Sequence, residues 1–425
     1  MTMMHNRRAR DRAGRVAALS LGASLLASVA AFAWPVGGGS DVTIDNLAFK
    51  SAKSADGDSF AIARVEFTNT NLSKEEIVKL LTPETPVDEA RALAKKLTAD
   101  KISIPSIDIL GKDGSKIHLA GLTAAHVDAG RVESLDAAGL DATGTDKGSP
   151  VTVKAGALHV EGVDVAQLLA GESDAAVAKP SRLGGLKLSG LDVVAPDPGD
   201  TPGQSIHFSI GSIELHNDYA GDALKQGDSK ITGIVIEPSP GSDTAKSLAT
   251  LGYSKVELAV AIGASYQADA KSFTLNTFTV DGVEMGSVGV KANFTDVGPA
   301  LFGGDSGARM QALLEAGVAS VELTLVNSGL FDKALGYYAK QQSVAPDQLR
   351  TQWSATVGQL TPVMLGGSPS GVALAAEAQK FIAAPKNLTV TVKAKTGALK
   401  AGDFMALTDP TEIVGKIDIS AAANR

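Results

Sequence analysis

The chain contains no cysteine among its 425 residues. Disulfide bonds, thiolate catalysis, iron–sulfur clusters and cysteine-bound zinc are therefore excluded. In an exported protein of this size, the absence of cysteine favours a bacterial periplasm over eukaryotic secretion.

Aromatic residues are scarce, at 4% of the chain, whereas glycine is abundant, with 45 residues. The length of 425 residues is enough for one large domain or two ordinary domains, and hydrophobic residues make up 44% of the chain, which is enough for a sizeable core. The core must therefore be built mainly from Val, Leu, Ile and Ala side chains.

Positive charge is also limited, because the chain has 39 basic and 47 acidic residues and its formal net charge is −8. Residues 1–33 hold five arginines and one aspartate. Removing this segment takes the formal net charge to −12. An acidic body without basic clusters argues against nucleic acid as a partner and against simple electrostatic docking on anionic lipid.

Motifs that identify catalytic or cofactor sites are missing from the sequence. No HExxH, P-loop, EF-hand loop or GxGxxG after a strand occurs, and the acidic residues are dispersed. We therefore assign no catalytic residue, no cofactor-binding residue and no metal ligand, and we predict a non-enzymatic protein without a cofactor.

The N-terminal segment, residues 1–33, has the pattern of a secretory signal peptide. Arginines up to Arg15 precede the uncharged run Val16–Trp34, and Ala31-Phe32-Ala33 provides an A-x-A cleavage pattern. The alternative is an uncleaved anchor, since this run is marginally long enough to span a bilayer. Cleavage predicts a periplasmic protein, and an anchor predicts attachment to the inner membrane.

A short glycine-rich linker at 34–40 leads to a β-rich repeat body, which we predict at 41–300. Val42–Lys50 and Ser59–Thr70 indicate two strands joined by a turn at residues 56–58. Two short helices are expected near 73–97.

Both short helices carry start signals. Ser73 and Glu76 form a capping box. Thr85 followed by Pro86 indicates a second start, with Thr85 as N-cap and the helix running to about Leu97.

Glycine-centred strand repeats occupy the middle of the chain. Around Gly162, Gly190 and Gly282 the sequence follows one pattern, apolar-x-apolar-x-Gly-apolar-acidic-apolar. The apolar phase slips by one residue at each glycine, so we predict a bulge or bend there, facing close backbone neighbours. The spacing is too irregular for a solenoid and instead indicates a long antiparallel meander.

The last third, 301–425, combines a helical cluster with closing strands. Four segments show helical spacing of apolar residues: Ser306–Ala316, Leu330–Gln342, Pro346–Leu360 and Ser370–Ile382. Leu388–Val392 and Ile417–Ile419 alternate as strands. The predicted fold class is therefore α+β, a mainly antiparallel β meander of long twisted sheets, with the helices packed on the same sheet system.

Three short segments resemble the catalytic boxes of trypsin-like serine proteases. His126 follows Leu122-Thr123-Ala124-Ala125, Ser306 lies in Gly304-Asp305-Ser306-Gly307, and Asp164 lies between them in the chain. That family uses such residues as base, nucleophile and orienting carboxylate. The sequence departs from the family at Ala308-Arg309, so a serine-type hydrolase is an alternative function and a helix start is the alternative role of Ser306.

The export signal, the glycine-centred repeats and the closing strands resemble exported bacterial envelope proteins of uncharacterised function and, more distantly, the AsmA-like group. This resemblance covers about residues 100–290. It implies a periplasmic sheet with a groove for lipid, and it carries no site residues over. We therefore expect lipid or envelope proteins as partners, with membrane association through an uncleaved signal or through lipid handling. The remaining alternative is an envelope scaffold that binds another protein.

Overall fold

The computed structural model describes residues 39–50, 59–82, 85–128, 131–146, 148–164, 183–197, 204–220, 223–302, 306–405 and 412–425. The predicted signal segment and the predicted turn at 56–58 lie outside these residues. The chain divides into two compact units, the first ending at Pro196 and the second starting at Asp197. The strands of the predicted body at 41–300 therefore belong to both units.

The first unit consists of antiparallel strands with two helices after the second strand. Its elements are β1 Ser40–Lys50, β2 Ser59–Thr70, α1 Lys74–Leu81, α2 Val87–Ala94, β3 Ala99–Leu110, β4 Lys116–Asp128, β5 Arg131–Ala137, β6 Gly139–Asp146, β7 Ser149–Ala155, β8 Leu158–Asp164 and β9 Gly185–Pro196.

The pairing in this unit follows a meander of long strands, several of which are interrupted. β1 pairs with β2, β2 with β3, and β3 with β4. β4 pairs with both β5 and β6, while β5 pairs with β8 and β6 with β7. β9 then pairs with both β7 and β8. Thus β5 with β6, and β7 with β8, each act as one long strand broken near its middle.

The breaks align across neighbouring strands in a single row that we call the crease: Gly121, Ala138, Ala157 and Ser189. The amide of Ser189 donates to the carbonyl of Ala157, 2.9 Å away. A Cβ on Gly121 would lie 2.8 Å from the Cβ of Ala138, so the strands approach closely there. Gly190, beside the crease, has a φ of +69°. The predicted bend at Gly190 is confirmed, but the prediction of close backbone neighbours there is wrong, because nothing lies within 4 Å of the position that a Cβ would occupy.

The core of the first unit lies between its sheet and its two helices. Ile77 of α1 and Leu97 after α2 are fully buried, together with Val65 and Ile104 of the sheet. They belong to one continuous apolar cluster that extends to Val163. Small helices suffice here because each buries an apolar stripe against strand residues.

The second unit is a meander of strands with helices inserted between them. Its elements are β10 Ser205–Ala220, β11 Ala223–Pro238, α3 Asp243–Thr250, β12 Val256–Gln267, β13 Ser272–Gly282, β14 Gly286–Thr295, a 3₁₀ helix Pro299–Phe302, α4 Ser306–Glu315, β15 Gly317–Asn327, α5 Leu330–Gln341, α6 Pro346–Met364, α7 Pro369–Ala383, β16 Asn387–Ala394, β17 Leu399–Lys400, α8 Ala401–Met405, α9 Glu412–Lys416 and β18 Ile417–Ala423.

Each long strand of the second unit pairs antiparallel with the strand before it, from β10 to β16. β18 pairs with β16. The predicted antiparallel meander is therefore confirmed for this unit, as are the strands predicted around Leu388 and Ile417. The helix α3, with Ser242 as its N-cap, was not predicted.

Helices α5, α6 and α7 form a cluster between β15 and β16. Leu335, Ala339 and Leu349 are its buried centre. The ring of Phe331 contacts the rings of Trp353 and Phe381 edge-on, at centroid distances of 5.8 and 5.7 Å. These helices match the predicted segments to within a few residues, and α4 likewise begins at Ser306, where its prediction began.

Three further sequence predictions are wrong in detail. The N-cap of α2 is Pro86 rather than Thr85, and the helix ends at Ala94 instead of near Leu97. The Thr85 hydroxyl instead donates to the carbonyl of Lys79 at the end of α1. Gly282 is not a bend within a strand, because it pairs with Gly286 at the turn that joins β13 to β14.

Candidate apolar binding surface

The sheet of the second unit has one strongly apolar face. Side chains on a strand alternate between faces, and directly paired residues share a face. Following the register from β10 to β16 therefore identifies a row of aliphatic residues that crosses seven strands: Ile213, Ile231, Val260, Val280, Val288, Leu325 and Leu388. At a strand spacing of about 4.8 Å, this row is about 29 Å long.

A second apolar row runs beside the first, two residues further along each strand: Ile262, Phe278, Val290, Leu323 and Val390. We call the two rows together the apolar face. The pattern is visible in the sequence as alternation within each strand, but the register that joins the strands is not.

The opposite face of the same strands is small and polar. Ala261, Thr279, Gly289, Thr324 and Thr389 form the equivalent row there. The hydroxyls of Thr324 and Thr389 lie 3.4 Å apart, within hydrogen-bonding range. The two faces therefore have different chemistry, and only one of them offers a continuous hydrocarbon surface.

The centre of the apolar face is not covered by the elements of the second unit. Ile262 is 41% exposed and Val288 is 42% exposed, and their neighbours in the two rows between β11 and β15 are only half-buried. Leu388 is buried, at the end of the row where α7 attaches to the sheet. In the first unit, by contrast, the equivalent strand residues form a closed core.

An aromatic cluster marks one edge of the apolar face. The rings of Tyr266 and Phe302 are 4.9 Å apart, and those of Phe273 and Phe294 are 5.7 Å apart. The Tyr266 hydroxyl donates to the carbonyl of Val297 at 3.0 Å. Burial raises the pKa of the Tyr266 phenol, which stays protonated and keeps this edge uncharged.

A histidine with two carboxylate partners lies in the first unit, beside the crease. His159 Nδ1 is 2.7 Å from Asp136 Oδ1, and its Nε2 is 3.1 Å from Glu161 Oε1. The hydrogen bond to Asp136, followed by that to Glu161, raises the pKa of His159. A shallow cavity of 310 Å³ lies next to it and also contacts Lys187.

Both ring nitrogens of His159 are therefore engaged by carboxylates, and the side chain is 40% exposed. An imidazole held in this way is an ion-pair centre on the surface and is not free to accept a proton from a nucleophile. Among the described residues, no group of three or more His, Asp and Glu side chains is arranged to hold a metal ion.

The protease-like residues have different surroundings. His126 lies on β4 with its ring 3.1 Å from the carboxylate of Glu133, and its side chain is highly exposed. Asp164 ends β8, which is separated from β4 by β5. Ser306 is the first residue of α4, in the second unit. The carboxylate that contacts His126 is therefore Glu133, and the serine-type hydrolase stays a prediction.

Comparison with known proteins gives one partial match. A family model described only as an uncharacterized protein matches residues 279–424. This range starts within β13 and runs through β18, so it includes the C-terminal strands of the apolar face and the helices α4 to α9. No curated protein matches the chain. Within the described residues, no helix has both the length and the hydrophobicity needed to span a bilayer.

Proposed function

We propose that this protein is a non-enzymatic component of the bacterial periplasm or cell envelope that binds the acyl chain of a lipid on the apolar face of its second unit. The observation that supports this proposal is the pair of aliphatic rows whose central residues, such as Ile262 and Val288, remain exposed to solvent. Large exposed apolar surfaces on folded proteins mark sites of interaction.

The chemistry of the face favours an acyl chain over a polar ligand. The two rows contain aliphatic residues and one phenylalanine, with no charged side chain. A polar ligand would lose its hydration there without gaining hydrogen bonds. An alkyl chain instead gains about 0.8 kcal/mol for each buried methylene. A surface about 29 Å long can accommodate many methylenes in a row.

The proposed location in the periplasm or cell envelope is supported by the sequence rather than by the sheet. The basic N-terminal segment and the Ala31-Phe32-Ala33 pattern favour export. A cysteine-free acidic body is compatible with a periplasm, where lipids move between membranes bound to proteins. We therefore place the ligand among envelope lipids.

The first test is to identify what copurifies with the protein. Lipids extracted from protein purified out of its native envelope are analysed by mass spectrometry, and we expect acyl lipids in near-stoichiometric amount. Absence of lipid, together with no binding of an added phospholipid that bears a fluorescent acyl chain, would contradict the proposal.

A matched pair of variants locates the binding surface. Ile262→Asp places a charge on the apolar face, whereas Ala261→Asp places the same charge on the opposite face, next to Lys230 of β11. We expect Ile262→Asp to weaken binding of the fluorescent phospholipid about tenfold, because its carboxylate would be desolvated. Ala261→Asp should bind like the parent. Equal loss in both variants would show that the apolar face is not the site.

A further inference from the structure

The C-terminal end of α6 carries the two most exposed large apolar side chains among the described helices of the second unit. Met364 is 74% exposed and Val363 is 72% exposed, with Leu360 and Val372 each more than half exposed. We call residues 360–372 the hairpin tip. These four side chains do not belong to the buried centre of the helical cluster.

The hairpin tip lies within a long stretch without charge. Residues 351–376 contain no Asp, Glu, Lys, Arg or His, although 20% of the chain is charged. Surfaces that face water normally mix charges of both signs. The first charged residues on either side are Arg350, near the start of α6, and Glu377, in the middle of α7. Arg350 pairs with Asp332 at 2.9 Å, and Glu377 pairs with Lys380 at 2.6 Å.

Several backbone amides of the hairpin tip are hydrogen-bonded within the tip. Gly366 and Gly367 have φ angles of +61° and +70°, which let the chain reverse tightly. Amides donate within the tip in six cases: Leu365 to Thr361 O, Gly366 to Val363 O, Gly367 to Pro362 O, Ser368 to Leu365 O, Gly371 to Ser368 Oγ and Val372 to Ser368 O. Donors paired in this way avoid the cost of an unsatisfied amide in a medium without water.

The length of the charge-free region matches a shallow insertion. Arg350 precedes Met364 by fourteen residues, or about 21 Å of helix, and Glu377 follows Ser370 by seven residues, or about 10 Å. The shorter arm sets the limit. Amphipathic elements that lie in a membrane interface bury their apolar side chains about 5–10 Å deep. The hairpin is thus suited to the interface and too short to span.

We infer that the hairpin tip inserts into the interface of a lipid bilayer and holds the second unit at a membrane surface. A protein partner fits less well, because protein hot spots are enriched in Trp, Tyr and Arg, none of which occurs at residues 360–372. The inference is independent of the acyl-binding site, since no residue of the apolar face belongs to the tip.

The absence of cysteine makes a direct test simple. Met364→Cys and Gln352→Cys each introduce a single thiol for an environment-sensitive fluorophore in the full chain. Gln352 is exposed on the same helix, about 18 Å from Met364. With neutral phosphatidylcholine vesicles, we expect the label at residue 364 to brighten several-fold and to be quenched by nitroxides carried on the lipid. The label at residue 352 should not respond.

A second pair of variants separates insertion from general hydrophobic contact. Val363→Asp combined with Met364→Asp should weaken partition into the vesicles about tenfold or more. Val283→Asp changes another exposed valine of the same unit and should partition like the parent. The inference would be overturned if the fluorescence of the label at residue 364 did not change when vesicles were added. It would also be overturned if that fluorescence changed with protein concentration alone, because a second copy of the chain would then cover the tip.

Discussion

At the scale of single residues, backbone conformation decides which glycines cannot be replaced without strain. Gly190 has a φ of +69° and nothing within 4 Å of the position that a Cβ would occupy. Any cost of a side chain there therefore comes from the backbone and not from crowding. Gly144, on β6, has an ordinary φ, and its nearest neighbour would lie at a normal contact distance of 3.4 Å.

Gly190→Ala should lower the free energy of unfolding by about 1–2 kcal/mol, because an L-residue is strained in the left-handed region. Gly144→Ala, the matched control in the same unit, should be neutral or slightly stabilising. Urea unfolding measures both values. Equal stability of the two variants would contradict the bend that the crease requires at Gly190.

The sequence predicted the bend at Gly190 because the apolar phase slips there, and a slip must be corrected within the strand. It did not predict the crease, because the alignment of Gly121 with Ala138, Ala157 and Ser189 depends on hairpin register. Gly282 shows the limit of the pattern. The same motif ends a strand there, since Gly286 follows closely enough to close a turn.

At the scale of elements, local signals gave the helix starts well. Ser73 Oγ accepts from the amide of Glu76 at 3.2 Å, and Glu76 Oε2 accepts from the amide of Ser73 at 3.0 Å. Such contacts depend on residues only three apart, so the sequence alone could predict them. α2 starts one residue later than predicted, because the Thr85 hydroxyl donates a hydrogen bond to the end of α1.

Ser73→Ala should destabilise α1 by about 1 kcal/mol, because the Glu76 amide loses its acceptor. Hydrogen exchange followed by mass spectrometry should then show the amides of α1 exchanging about fivefold faster. Ser73→Thr keeps the hydroxyl and should exchange like the parent. If both variants behave alike, the capping box does not stabilise the helix.

At the scale of the whole molecule, the two units differ in how far the apolar side chains of their sheets are buried. The first buries strand residues such as Ile104 in a closed core, whereas the second leaves Ile262 and Val288 exposed. Alternation within single strands predicted apolar and polar faces in both units. Which face would be covered was not predictable, because alternation within a strand does not show on which side of the sheet α1, α2 and α7 pack.

The protein as a whole is acidic. The chain carries a formal net charge of −8, which becomes −12 when residues 1–33 are removed. The hairpin tip offers no positive charge to attract an anionic headgroup. The acidic protein should therefore be repelled from anionic vesicles over about a Debye length, near 10 Å at 0.1 M salt, while the tip still partitions into neutral ones.

We expect partition into phosphatidylcholine vesicles to exceed partition into phosphatidylglycerol vesicles at low salt, with the difference shrinking as salt rises. Vesicle sedimentation of the parent chain across a salt series measures this, and the Val363→Asp/Met364→Asp variant supplies the background for each lipid. Stronger binding to the anionic vesicles at low salt would mean that basic side chains, rather than the charge-free tip, bring the protein to the membrane.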